Sequence, residues 1–97
     1  QDINFNNIYI KDAGNDCVDL SFGKYQIENF ILINCFDNGI SVGEKSKANL
    51  KNVLITESKI GVASKDSSVT TIDQISMNKL EICLSAYKKK KEFGGQR

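Results

Sequence analysis

Apolar residues in this chain return in one fixed phrase: apolar, two others, apolar, one other, apolar. It occurs as Phe5-Ile8-Ile10, Ile27-Phe30-Leu32, Leu50-Val53-Ile55 and Ile72-Ile75-Met77. The starts lie about 22, 23 and 22 residues apart, which is the length of a structural repeat. The residue before the middle apolar position is Asn7, Asn29, Asn52 and Gln74. A second set lies between the phrases: Val18-Leu20, Ile40-Val42, Ile60-Val62 and Ile82-Leu84, about 22, 20 and 22 residues apart. Two registers that keep one period are not a chance likeness.

Apolar pairs at i and i+2 have the period of a strand with one buried face. Between them lie "GEKSKAN", "SKDSS" and "CFDNG", whose Gly, Ser, Asn and Asp favour turns over helix. A coil of about 22 residues made of short strands cannot close a core alone, but it can by stacking on the next coil, strand over strand, at about 4.8 Å. The pattern therefore predicts an all-β fold, a parallel β-helix (β-solenoid) of about four coils of roughly 22 residues. It occupies residues 1–87, with 88–97 a basic terminal loop or cap. Stacking places Asn7, Asn29, Asn52 and Gln74 at one corner, where each amide can bond the next. Handedness does not follow from the period. A coil longer than the roughly 18 residues of hexapeptide repeats points to the right-handed form.

The leucine-rich repeat is the rival, since "IENFILINC" fits its L-x-x-L-x-L-x-x-C spacing. That architecture needs a helical or 3₁₀ return. The second half of each repeat here, "GISVG" or "IGVAS", alternates with period two and has no i, i+3, i+4 stripe.

Composition changes this picture little. Of the 97 residues 40% are hydrophobic and 26% charged, a globular balance, and the net charge of +1 gives no field for nucleic acid or a membrane surface. No apolar run approaches the roughly 20 residues of a membrane span. "QDINFNNIYI" lacks the basic start and apolar core of a secretory leader, and without an initiator Met the chain reads as a mature form or a fragment. His is absent, which removes the commonest general base and metal ligand. Cys17, Cys35 and Cys83 are an odd set with no C-x-x-C, and they read as small, semi-buried repeat residues. Lys88–Lys91 is the one charge run; it reads as a solvated loop, and without interleaved aromatics it does not suggest nucleic-acid binding.

The phrases "NDCVDLSFGKYQIENFILINC", "DNGISVGEKSKANLKNV" and "KIGVASKDSSVTTI" resemble the right-handed parallel β-helix repeats of the pectin-lyase-like superfamily, from about Phe5 to Tyr87. "GISVGEKS" and "IGVASKDSS" look like β-helix segments of large bacterial surface or secreted proteins. The resemblance implies a scaffold or carbohydrate-binding module of such a protein, placed extracellularly or at the cell surface. Its alternative is a truncated polysaccharide lyase or glycoside hydrolase acting on uronate polymers. "NDCVDL" and "CFDNGISVG" resemble polygalacturonase phrases that pair an Asp-Asp-Cys with a later Gly-His-Gly, which would match Asp16 to a catalytic carboxylate and put Asn38 near the histidine position. Asn15 replaces the first Asp and there is no His, so paired-carboxylate hydrolysis has no partner and no catalytic residue is assigned.

Two outward columns complete the expectations. Tyr9, Ile31, Leu54 and Ser76 form a partly apolar stripe, suited to a third sheet, a neighbouring domain or a second copy. Asp19, Ser41, Gly61 and Cys83 form a flat, small column that could accept an extended glycan. The candidate carbohydrate-binding residues are Asp16, Asp19, Asp37 and Ser41. The three carboxylates, if they share one patch, are also candidate calcium ligands, calcium being the only cofactor considered. "QDINFNN" starts directly in a strand, and only Phe93 and Gly94-Gly95 offer a lid at the other end. The segment is therefore expected to belong to a longer solenoid, to meet flanking domains, or to self-associate end to end.

Overall fold

A computed structural model describes residues 2–65 and 67–86 of the chain. Five strands make it up: β1 (Asp2–Ala13), β2 (Val18–Leu20), β3 (Gly23–Val42), β4 (Ser46–Ser64) and β5 (Val69–Ala86). All pairings are parallel, in the order β1-β3-β4-β5, with β2 also on β3. Each of the long strands is one coil bent around corners, so the chain is a parallel β-solenoid. Among the described residues there is no helix, hence none long and apolar enough to cross a membrane. The helical return of a leucine-rich repeat is absent from them too. Lys88–Lys91 and the Phe93 lid lie outside the described residues.

The corners explain the repeated phrase. Residues with positive φ fall into three columns: Asn7, Asn29, Asn52 and Gln74; Asp12, Asn34, Glu57 and Lys79; Phe22, Lys45 and Ser67. In a straight strand, inward positions recur every second residue. A left-handed residue turns the chain and delays the next inward side chain by one position. Ile27 and Phe30 thus both point inward across Asn29, and Leu32 and Cys35 do so across Asn34, all four no more than 3% exposed. Asn and Asp tolerate this backbone better than other residues with a Cβ, because their short polar side chains can bond locally. Here they bond the neighbouring coil. Asn52 Nδ2 donates to Asn29 Oδ1 at 2.6 Å, and Asn29 Nδ2 to Asn7 Oδ1 at 3.2 Å. At the second corner Asn34 Nδ2 donates to Asp12 Oδ1 at 2.7 Å.

The first apolar set stacks in the expected register: Phe5, Ile27, Leu50 and Ile72; Ile8, Phe30, Val53 and Ile75; Ile10, Leu32, Ile55 and Met77. The second set needs correction. Val62, not Ile60, lies on Ile40, so the column is Val18, Ile40, Val62 and Leu84. Ile60 instead lies between Asn38 and Ile82. The spacing of about 20 residues within that set reflects a slip of one alternation. Asp19 and Ser41 accordingly continue into Ala63 and Ser85, not into Gly61 and Cys83.

Gly39 and Gly61 face the core, at a place where backbones crowd. A Cβ on Gly39 would sit 2.7 Å from Gly61 O and 2.8 Å from Ile55 Cγ2; one on Gly61 would overlap Met77 Sδ. Burial is graded along the axis. Leu32, Ile40, Val42, Ile55 and Val62 in the middle coils are fully buried, whereas Phe5 in the first coil and Ile82 in the last are 43% and 47% exposed. At the third corner a hydroxyl cluster replaces apolar packing: Ser64 Oγ lies 2.7 Å from Thr70 Oγ1 and 3.0 Å from Ser68 Oγ, and Ser68 donates to Lys65 O.

The cysteines depart from expectation. Cys17 and Cys35 form a disulfide with a Cα–Cα distance of 5.3 Å, and Cys83 is free and exposed. The bond ties the first coil to the second across the loop after β1. An odd count excludes complete pairing only, and leaves one pair open to the chain.

Three variants test these contacts. Asn52→Ala should cost about 1–2 kcal/mol in urea unfolding, combining a left-handed alanine with a lost ladder bond. Asn52→Gly, relieved of the backbone penalty, should cost about half as much. Cys17→Ser with Cys35→Ser should lower stability by about 3 kcal/mol, the loop-closure value for a bridge of this span.

Candidate functional site

The structure places the sequence-derived site residues on two neighbouring coils, Asp16 and Asp19 at β2 and Asp37 and Ser41 on β3. Asp16 is half-buried, and its Oδ1 accepts from Asn38 N at 3.1 Å and from Asn38 Nδ2 at 2.9 Å. It is a coil-to-coil brace of the same kind as the corner ladders. The two positions picked out by the polygalacturonase-like phrases therefore do meet, as structural partners. Asp37 is half-buried above Asn15, whose carbonyl accepts the Asp37 N–H at 3.1 Å. Asp19 is exposed and lies beside Ser41 in the pairing of β2 with β3. Ser41 is only 6% exposed and Ala63 1%, so the face expected to be an open column has little surface at those positions. Among the described residues no group of three His, Cys, Asp or Glu side chains stands where it could hold a metal ion. The calcium set of Asp16, Asp19 and Asp37 is accordingly not brought together. Asp16 is already engaged by Asn38.

A concavity lies elsewhere, along the second corner. Opposite β4, β3 carries one extra residue: Cys35 faces Ser58 and Asn38 faces Ile60, so Phe36 and Asp37 together oppose Lys59. A bulge of this kind re-aims a side chain. Phe36 sits in this bulge and points outward, 76% exposed, the highest value among the large apolar residues described. An open groove of about 840 Å³ runs from Phe36 up the coils. The left-handed corner residues Asn34, Glu57 and Lys79 line it, with Asp37, Lys59 and Glu81 beside them. The coil spacing sets these side chains in rows. Its floor is firm: Cys35 is held by the disulfide, and Ser58 Oγ lies 2.7 Å from Ile60 O and 3.1 Å from Asp37 O.

A second depression, of about 510 Å³, follows the stripe of Tyr9, Ile31 and Leu54, which stack in register as expected. Tyr9 is 60% exposed and Ile31 41%. Its polar rim is the Asn7-Asn29-Asn52 ladder, whose amides are committed to one another. The Phe36 groove thus surrounds an aromatic ring with charged side chains, and the Tyr9 stripe offers mainly apolar surface. Searches against protein-family models, curated proteins and solved structures return no significant match to this chain.

Phe36 escapes a reading of the sequence because "CFDNG" has the composition of a turn, where a lone aromatic has no periodicity to mark it. The signal available is the apolar residue directly after the inward Cys35, a position that alternation reserves for the outside.

Asp16 can be tested as a brace. Asp16→Ala should lower unfolding stability by about 1–3 kcal/mol, since it strips a charged acceptor from two donors of Asn38. Urea titration of the variant beside the parent chain measures this directly.

Proposed function

We propose that the chain is a non-catalytic, carbohydrate-binding β-solenoid of an exported or surface-exposed protein. A sugar chain lies along the second corner, not on the face of Asp19 and Ser41. The observation that carries this reading is the bulge that sets Phe36 over a groove of stacked polar side chains.

The chemistry suits a saccharide. A pyranose ring has an apolar C–H face that packs on an aromatic ring, and hydroxyls at its edge that need donors and acceptors together. Phe36 supplies the first. Asn34, Asp37, Glu57, Lys59, Lys79 and Glu81 supply the second, with both signs of charge present. Ligand recognition along a rigid solenoid flank needs little reordering of the protein, which favours weak but repeated contacts with an extended polymer. The disulfide supports export, because such bonds persist in oxidising compartments and are rare in a reducing cytosol. The resemblance to pectin-lyase-like repeats agrees with a polysaccharide partner and rests on sequence phrases alone.

Affinity electrophoresis through gels containing neutral or uronate polysaccharides tests the proposal. The parent chain should be retarded by at least one polymer. Phe36→Ala should lose about tenfold in affinity with its circular dichroism unchanged, as for the central aromatic of a small binding site. Tyr9→Ala should bind normally. Unaltered retardation of Phe36→Ala, or no retardation by any polymer, would overturn the assignment.

A further inference from the structure

We propose that the third corner and the sheet face beside it bind an acidic polysaccharide, a sugar chain bearing sulfate or carboxylate groups. Lys24, Lys45 and Lys47 take its charge and Phe22 its apolar face. The inference does not rest on the Phe36 groove, which lies at the second corner.

The first observation is a cationic depression. Lys24 and Lys47 stand side by side in register on β3 and β4, both exposed. Like charges so placed destabilise a sheet. Among the described residues neither ammonium has a hydrogen-bonding or ion-pairing partner. The two lysines flank a shallow depression of about 190 Å³, lined also by Asp2, Gln26 and Asn49. Its amides are aligned by the stack: Asn49 Nδ2 donates to Gln26 Oε1 at 3.1 Å, and Gln26 Nε2 to Asp2 Oδ2 at 3.0 Å. Two ammonium groups thus stand against one carboxylate, and each amide keeps a second N–H. An anionic group set between the lysines relieves their repulsion.

The second observation is Phe22. Its φ is 50°, a left-handed conformation that a bulky side chain resists, and its ring is 66% exposed. Asn29 and Asn34 repay the same backbone through bonds to a neighbouring coil. Phe22 has no polar side chain to do so, and burial does not account for it either. It lies two residues before Lys24, in the corner column of Lys45. A ring beside cations suits a sugar with an apolar face and anionic substituents. Lys65 adds charge in the same corner, where Glu44 is the opposing carboxylate. β5 ends at Ala86, stacked on Ser64 where that corner begins, and Lys88–Lys91 follow in the sequence.

The cations recur along the solenoid axis at about the 4.8 Å coil spacing, which matches a polymer with charges in a row. A bilayer surface calls for several apolar side chains among the lysines, and Phe22 is the large exposed one at this corner. Single-stranded nucleic acid calls for successive stacking rings.

Calorimetric titration of the full chain with dextran sulfate and with uncharged dextran tests the proposal. Dextran sulfate should bind more tightly, and added salt should erase the difference. Lys24→Gln with Lys47→Gln should cut the gain from sulfation about tenfold. Lys11→Gln with Lys51→Gln removes equal charge elsewhere and should keep that gain; Lys51 stands between Glu28 and Asp73 in register. Phe22→Gly should weaken binding about threefold yet raise the urea midpoint, since glycine accepts the left-handed backbone. Phe36→Ala should leave the gain from sulfation intact, so failure here is distinct from failure of the groove. No gain from sulfation, or a gain that Lys24→Gln with Lys47→Gln leaves unchanged, would overturn the proposal. So would an equal loss in the Lys11 and Lys51 variant, or tighter lysine-dependent binding to phosphatidylserine vesicles or duplex DNA.

Discussion

The structure depends on the left-handed corner. A strand that must turn without breaking its ladder needs a residue at positive φ, and a residue with a Cβ resists that conformation by about 1–2 kcal/mol. Each solenoid coil here makes that demand at up to three corners, and among the described residues none that meets it is a glycine. The compensation comes from the neighbouring coil: Asn29 is bonded to Asn7 below and Asn52 above, and Asn34 to Asp12. The corner is thus stable only in a stack, and the stack forms only because the corners turn the strands back over one another. Such mutual dependence makes stacked coils cooperative.

Inside the corners, packing follows from the same constraint. Every inward column has to accept whatever lies one coil above and below at a fixed spacing. Where the columns run Ile27-Leu50-Ile72 or Leu32-Ile55-Met77, side chains of similar volume stack on one another. Where backbones crowd, as at Gly39 and Gly61, no side chain fits. At the third corner Ser64, Ser68 and Thr70 are buried at 0–2% exposure and satisfy one another, so the polar groups impose little desolvation penalty.

Much of the fold was legible because its strongest signal is redundant. Apolar triads flanking Asn7, Asn29 and Asn52 state the strand, the bend and the period at once, and their columns came out in register. The second half of each coil carried one signal only. Alternation cannot distinguish Ile60 from Val62 as the partner of Ile40, since a shift of two residues keeps every side chain on its face; what separates them is the pairing itself, Val62 on Ile40 and Ile60 on Asn38, a three-dimensional fact. The disulfide was hidden for a related reason. Cys17 and Cys35 are close only because the chain rises one coil between them, and their separation of 18 is not the repeat length. The site was the least legible part. It rests on Phe36, an interruption of the pattern, and periodic reasoning discounts interruptions.

Where the ladder is regular, outward side chains stand in flat rows, as Tyr9, Ile31 and Leu54 do, and each amide is taken up by the coil above or below. A regular solenoid surface therefore presents extended area with few free polar groups. A bulge changes both properties together. Setting Phe36 and Asp37 opposite Lys59 breaks a stretch of pairing, bends the strand and lifts an aromatic ring out of the row beside a line of charged corner residues. The local loss of hydrogen bonds is offset nearby by the disulfide at Cys35 and by the Ser58 hydroxyl on the carbonyls of Asp37 and Ile60. An irregularity this well supported, in a chain otherwise governed by repetition, is where a concave surface can form without unravelling the coils beneath it.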